Sequence, residues 1–253
     1  MTTSASRLPT TPSRNRWFYS VTSLGLLALM FVGFQLFYLH GQAYPGRPLT
    51  PPIRTLVITH ACLMTLWMLL AVMQPLLVGT GRRRLHMKIG VFGVVLAAAI
   101  VIAGVRIGIE AARVTPPDLR VFGLAPKEFM AVPVLSILVF GLFVLLGVAN
   151  RRRPEVHRPM MLMASLSIMG AALGRMTPLN ALYAGTWWET VFSAFLMQTI
   201  LVAMVLAAKC IVFKSFDRWL AAGFAAFTAV SVAISLGAKT QPWDQFATFL
   251  LQL

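Results

Sequence analysis

The chain has 253 residues, 58% of them hydrophobic and 11% charged, with 22 basic against 7 acidic side chains and a formal net charge of +15. Its mean hydropathy is +0.78 and its pI about 11.4. Soluble domains average about 45–50% apolar and about 25% charged residues, so these figures exclude an ordinary cytosolic enzyme, a disordered chain and a small disulfide scaffold. The solvent that suits such a surface is lipid.

Residues 1–16 read as a basic cytoplasmic tail with Arg7, Arg14 and Arg16. The apolar run that follows, Trp17 to Tyr38, outlasts a signal-peptide core and has no small-x-small cleavage pattern after it. It predicts an uncleaved first helix. A spanning helix needs about 20 apolar residues, and seven segments meet that need: 17–39, 55–78, 88–109, 128–149, 158–176, 189–212 and 218–237. The fifth is the shortest. Together they predict an all-α integral membrane helical bundle of about seven transmembrane helices over 17–238, then a short outer segment, 239–253. Pro133 kinks the fourth helix or marks its first turn. Gly104/Gly108 and Gly170/Gly174 form two GxxxG pairs that allow close helix packing. The Pro-rich stretch Tyr44 to Pro52 reads as an ordered or semi-extended outer loop.

The charge lies between the apolar runs, as in Arg82-Arg83-Arg84 and Arg151-Arg152-Arg153. That placement marks membrane-flanking loops and anionic lipid contact, and it argues against nucleic acid as a partner. With the N-terminus inside and the C-terminus outside, the inner side holds 14 basic and two acidic residues, net +12. The outer side holds eight and five, net +3. The positive-inside rule selects that orientation. Trp17, Trp187, Trp188, Trp219 and Trp243 fall at predicted helix ends, as an aromatic belt requires. Cys62 and Cys210 sit in apolar runs with no disulfide or zinc spacing.

Four histidines occur, and they segregate by depth: His40 and His60 toward the outer side, His86 and His157 toward the inner side, on four different helices. Haem iron held by two neutral imidazoles needs one histidine from each of two facing helices at similar depth. Two such pairs would make a transmembrane electron path. The same pairs suit a single ion, copper or another metal, with water or carboxylate completing its shell. For His40 and His86 the alternative is a solvated interfacial side chain. His60 and Gln74 are 14 residues apart, 40° short of four turns, so they share a face about 21 Å apart along the axis. Gln74 then hydrogen-bonds within the inner site. His157 and Arg175, 18 residues or five full turns apart, also share a face, with Arg175 at the outer end. Arg175 clamps a propionate, phosphate or carboxylate near His40 and His60, or snorkels to headgroups. Met64 and Met68 follow His60 at helical spacing, as copper ligands or as core. Glu110, Glu128 and Glu189 sit at outer helix ends without a catalytic partner, and Glu155 balances charge in a basic loop. No Ser-His-Asp order, phosphate loop or HExxH helix is present.

Three stretches carry a resemblance. They are His60-Ala-Cys-Leu-Met through Met73-Gln74, Arg84-Leu85-His86-Met87-Lys88-Ile89-Gly90, and Glu155-Val156-His157-Arg158-Pro159-Met160-Met161, with Ala171-Ala172 and Arg175 beyond. This LHxxxG and HRxxM pattern resembles a broad group of uncharacterised bacterial multi-pass membrane proteins. It is similar to the small membrane assembly factors of haem-copper cytochrome oxidase, and more distantly to di-haem cytochrome b561-type bundles. The likeness spans roughly residues 55–178. It implies His60, His86 and His157 as cofactor or metal positions, with Gln74 and Arg175 in support and His40 added from its depth. In the b561-type group haem ligands pair along one helix, and here Gln74 stands where the second histidine would be. The implied role is haem b or metal binding in respiratory electron transfer or respiratory-complex assembly, in a bacterial inner membrane, with a membrane complex or a quinone as partner. The competing expectations are a cofactor-free accessory subunit and a small-molecule transporter.

Overall fold

A computed structural model describes residues 13–44, 47–49 and 51–253. Most of the expected basic tail, residues 1–12, and positions 45, 46 and 50 of the Pro-rich loop lie outside them. Two helices open the chain, α1 (Ser13–Gly33) and α2 (Gln35–His40), and a two-stranded antiparallel ribbon follows, β1 (Gln42–Tyr44) with β2 (Arg47–Pro48). The rest is helical: α3 (Arg54–Gly79), α4 (Arg83–Val114), α5 (Pro126–Phe129), α6 (Ala131–Ala149), α7 (Pro154–Leu166), α8 (Gly170–Leu173), α9 (Thr177–Ala181), α10 (Trp187–Phe192), a 3₁₀ turn at Ser193–Phe195, α11 (Leu196–Phe213), α12 (Arg218–Gly237) and α13 (Gln241–Gln252).

Among the described residues six helices are long and apolar enough to cross a membrane: Arg54–Gly79, Arg83–Val114, Pro126–Ala149, Pro154–Leu173, Trp187–Phe213 and Arg218–Gly237. The first expected span, 17–39, is shorter. Its apolar part, Trp17–Gly33, covers 17 residues, about 25 Å of helix, before Phe34 breaks the run and α2 resumes it. Pro133 falls in the first turn of α6, where a missing N–H removes no helical bond.

Neighbours in sequence pack as hairpins. α3 lies against α1 and α4, α4 against α6, α6 against α7, and α7 against α12. The fifth span has the lowest hydropathy of the six, 1.2, and the packing explains it. Of its apolar window 72% is buried, against 17–44% for the others. It is the central helix, screened from lipid by its neighbours. Trp67 of α3 ties it in place: Nε1–H donates to Ser165 Oγ at 3.2 Å, and the ring meets Phe140 edge-on at 4.8 Å.

That central helix is not continuous. After Leu166 the backbone tightens to i→i−3 bonds, with Met169 N–H donating to Leu166 C=O and Ala172 N–H to Met169 C=O. Gln198 of α11 donates its amide to the Leu166 carbonyl at 2.9 Å. A methyl on Gly170 would sit 2.5 Å from Gln198 Oε1, so Gly170 serves to admit a side chain. Gly104 serves the close approach expected of it: a methyl there would lie 2.6 Å from Ile137 of α6. The sixth span also bends, at Ser193, whose φ is 48°.

Candidate functional site

The sequence pointed to two polar clusters; the described residues assemble one of them and add a third that the sequence did not mark. The first joins Gln74, His86 and His157. Three residues connect α3 to α4 and four connect α6 to α7, so each helix start lies beside the end of its predecessor. His86 stands in the first turn of α4 and faces Gln74 near the end of α3. His157 stands in the first turn of α7, and its Nδ1–H donates to the Gly147 carbonyl near the end of α6 at 2.8 Å. The two half-buried rings face each other across the hairpins, centroids 6.4 Å apart and planes at 86°.

The tautomers follow from these bonds. His157 spends its proton on Gly147 and leaves Nε2 as a bare lone pair, the arrangement found where a histidine ligates metal. The Gln74 carboxamide meets His86 Nδ1 either way round. With nitrogen toward the ring it donates to Nδ1 and to the His86 carbonyl (3.3 Å), while its oxygen accepts from Gly90 N–H (3.2 Å). His86 then presents Nε2–H as a donor. With oxygen toward the ring, Gln74 would accept from Nδ1–H and free Nε2 as a ligand, but that sets the oxygen against the His86 carbonyl and the amide nitrogen against Gly90 N–H, so ligation by His86 requires Gln74 to turn. Gln74 thus sets what His86 can do. An ion with metal–nitrogen bonds of about 2.0–2.1 Å, shared by two opposed imidazoles, places their centroids about 6 Å apart, close to the spacing here. No group of three or more His, Cys, Asp or Glu that could hold a metal occurs among the described residues. Two imidazoles alone suit haem, whose porphyrin supplies the remaining ligands, better than a bare ion.

The second cluster was expected to pair His40 with His60 near Arg175, and the described contacts do not assemble it. His40 ends α2 with its side chain exposed. His60 faces α4, its ring 3.2 Å from the position a Gly104 methyl would take, and its buried Nδ1 has no hydrogen-bond partner among the described residues. His60 and Gln74 both face α4, as their 14-residue spacing predicted. Arg175 lies beyond α8 and His157 in α7, so the break at 167–169 separates them and the count of five turns does not apply. Its guanidinium stacks on Phe34 at 4.2 Å, and Nη1 donates to Ala171 C=O at 2.8 Å. It lines an open cleft of about 410 Å³ beside Val32, Leu36 and Leu179. Met64 and Met68 belong to the core, Met68 fully buried.

The third cluster was missed. Lys209 of α11, 6% exposed, donates to the Tyr19 hydroxyl of α1 and to Asp217 Oδ2. Asp217 also caps α12, its Oδ1 accepting from Trp219 N–H (3.1 Å) and Leu220 N–H (2.9 Å). The Arg153 guanidinium of the α6–α7 turn lies 6.0 Å from the Trp219 ring at the start of α12, so the first and third clusters share one end of the bundle. In the sequence Lys209 counts only as one of the 14 basic residues assigned to the inner side, with no partner. The available signal was a lone lysine inside the run Ala207-Ala208-Lys209-Cys210-Ile211, eight residues before a lone aspartate.

The carboxylates make local contacts. Glu128 accepts from Ala125 N–H (2.8 Å), Glu189 from Gly185 N–H (2.6 Å), Glu110 pairs with Arg113 (2.6 Å) and Glu155 with Arg153 (3.5 Å). Comparison with protein-family models, curated proteins and solved structures finds no match. The helices themselves define the class: a multi-pass membrane protein in contact with a lipid bilayer.

Proposed function

We propose that this bundle holds a redox cofactor, haem b in the first instance, between His86 and His157. The carrying observation is the facing pair itself: two imidazoles from separate hairpins, centroids 6.4 Å apart, each with Nδ1 engaged by a neighbouring group. His157 fits the group as it stands, and His86 fits it with the Gln74 oxygen toward its ring. A bound haem supplies one-electron transfer. The chain supplies the axial imidazoles, fixes their orientation through Gln74 and Gly147, and surrounds them with apolar helices. A single metal ion such as copper is the second occupant this pair would accept.

The sequence motifs support a place in respiratory electron transfer or in assembly of a respiratory complex, with a quinone or a membrane complex as partner. The loop charges support a seven-span bundle in a bacterial inner membrane with the N-terminus inside, which puts the histidine pair on the cytoplasmic side. Purified protein is expected to contain about one equivalent of haem or metal, lost in His157→Ala. Neither haem nor stoichiometric metal would refute the reading and favour a cofactor-free accessory subunit.

A further inference from the structure

The C-terminal helix α13 carries three separate stripes. Trp243, Ala247, Leu250 and Leu251 form one, and it packs on protein. Ala247 is fully buried and joins Met130 between α5 and α6, Val134 of α6, and Ile109 and Ala112 of α4. Asp244, Thr248 and Gln252 form a second, polar stripe, flanked by Gln241 and Gln245. Phe246, Phe249 and Leu253, at helical spacing three and then four apart, form the third. They are 47%, 55% and 78% exposed.

A helix at a protein–water boundary needs two faces, and a third that is apolar and open needs a third medium. The position of α13 supplies it. Ile109 and Ala112 lie where the apolar part of α4 ends, among Arg106, Glu110 and Arg113. That is the level at which hydrocarbon gives way to headgroups. Three contacts fix the helix there. Trp243 Nε1–H donates to the Lys127 carbonyl (3.0 Å), Lys127 pairs with Asp244 (2.6 Å), and Arg113 donates to the Leu251 carbonyl (3.0 Å).

We infer that α13 is an in-plane membrane helix, with Phe246, Phe249 and Leu253 seated in the lipid of the same bilayer the bundle crosses. In-plane helices bury their apolar face about 5–10 Å into the headgroup–acyl boundary. α13 itself carries no Lys or Arg, and its one acid is paired, so seating depends on apolar burial rather than on anionic lipid.

The test uses the full chain with its two free cysteines, Cys62 and Cys210, replaced by serine. Single nitroxide labels are placed at 246, 249, 253, 245 and 252 in phosphatidylcholine vesicles. Labels at 246, 249 and 253 are expected to relax several-fold more with oxygen than with a water-soluble nickel chelate, with the reverse at 245 and 252. Added phosphatidylglycerol should change neither pattern. Nickel access at all five positions overturns the inference. So does shielding of 246, 249 and 253 from both reagents, which would mean a protein cover. If the cysteine-free chain does not fold, the unmodified chain in vesicles containing a photoreactive phosphatidylcholine decides. Crosslinks within residues 241–253 are expected, and their absence overturns it.

Discussion

The two ends of the bundle were expected to match, each with a histidine pair at one depth, and they differ. At the end where α4, α7 and α12 begin, polar groups are tied together: Gln74 to His86, His157 to Gly147, Lys209 to Tyr19 and Asp217. At the opposite end His40 is exposed, His60 has a dry nitrogen and Arg175 lies on a phenylalanine. The connections account for the contrast. Turns of three or four residues close α3–α4, α6–α7 and α11–α12, so a polar residue at a helix start meets the helix before it. The opposite end is joined by longer segments that spread its helices. Equal depth places two residues at one level, and a tight hairpin is what makes them touch.

The largest effect expected from breaking this contrast is at Lys209. Lys209→Met leaves Asp217 facing Tyr19 without its cation, and removing one member of a buried pair costs about 3–5 kcal/mol. Adding Asp217→Asn should recover part of that loss, measured by unfolding in detergent micelles. An additive double variant would mean the two groups do not interact.

Next is Gly33, on the opposite side of the break from α2. A methyl there would lie 2.5–2.7 Å from the Ala172 backbone, which cannot rotate away. Gly33→Ala should destabilise by about 1–3 kcal/mol. Gly25, with open space around it, should tolerate alanine or gain up to about 1 kcal/mol from helix propensity. Equal responses would contradict the α1–α8 contact.

His60 and His157 give a smaller, sharper contrast. His60→Leu removes a buried nitrogen with no hydrogen-bond partner among the described residues and should leave stability unchanged or raised. His157→Leu removes a made bond and orphans the Gly147 carbonyl, at about 1–3 kcal/mol. Loss of cofactor in His60→Leu would show that the opposite end is chemically active after all.

The smallest effect is a pH dependence outside the spans. Tyr183, between α9 and α10, donates to Asn180 Oδ1 and the Ser193 carbonyl, both at 3.2 Å. Burial, then the Glu189 carboxylate, pushes its hydroxyl up to about 12, from about 10 in the unfolded chain. The folded state keeps the proton longer, so its contribution is complete below about pH 10 and lost by about pH 12. Tyr183→Phe should flatten the stability curve over that interval, and a curve unchanged from wild type would contradict the assignment.

The spans were legible because lipid imposes length and hydropathy on each helix separately. Arg83–Val114 and Arg218–Gly237 could be found from apolar runs alone. The Gln74–His60 face was legible for a similar reason, since α3 is an unbroken helix over that stretch. Arg175 was misplaced because nothing local marks the turn at 167–169. There Gln198, 32 residues away, donates its amide N–H to the Leu166 carbonyl. The Lys209 cluster escaped because Tyr19 comes from 190 residues away, a contact that only the packing of α1 against α11 creates.

The central claim is that His86 and His157 share one cofactor, and a reduced-minus-oxidised absorption spectrum tests it most directly. Wild type and His40→Ala should give the same haem difference bands, while His86→Ala and His157→Ala should each lose them in folded, purified protein. Bands that survive both inner substitutions, or a wild-type spectrum without them, would contradict the account.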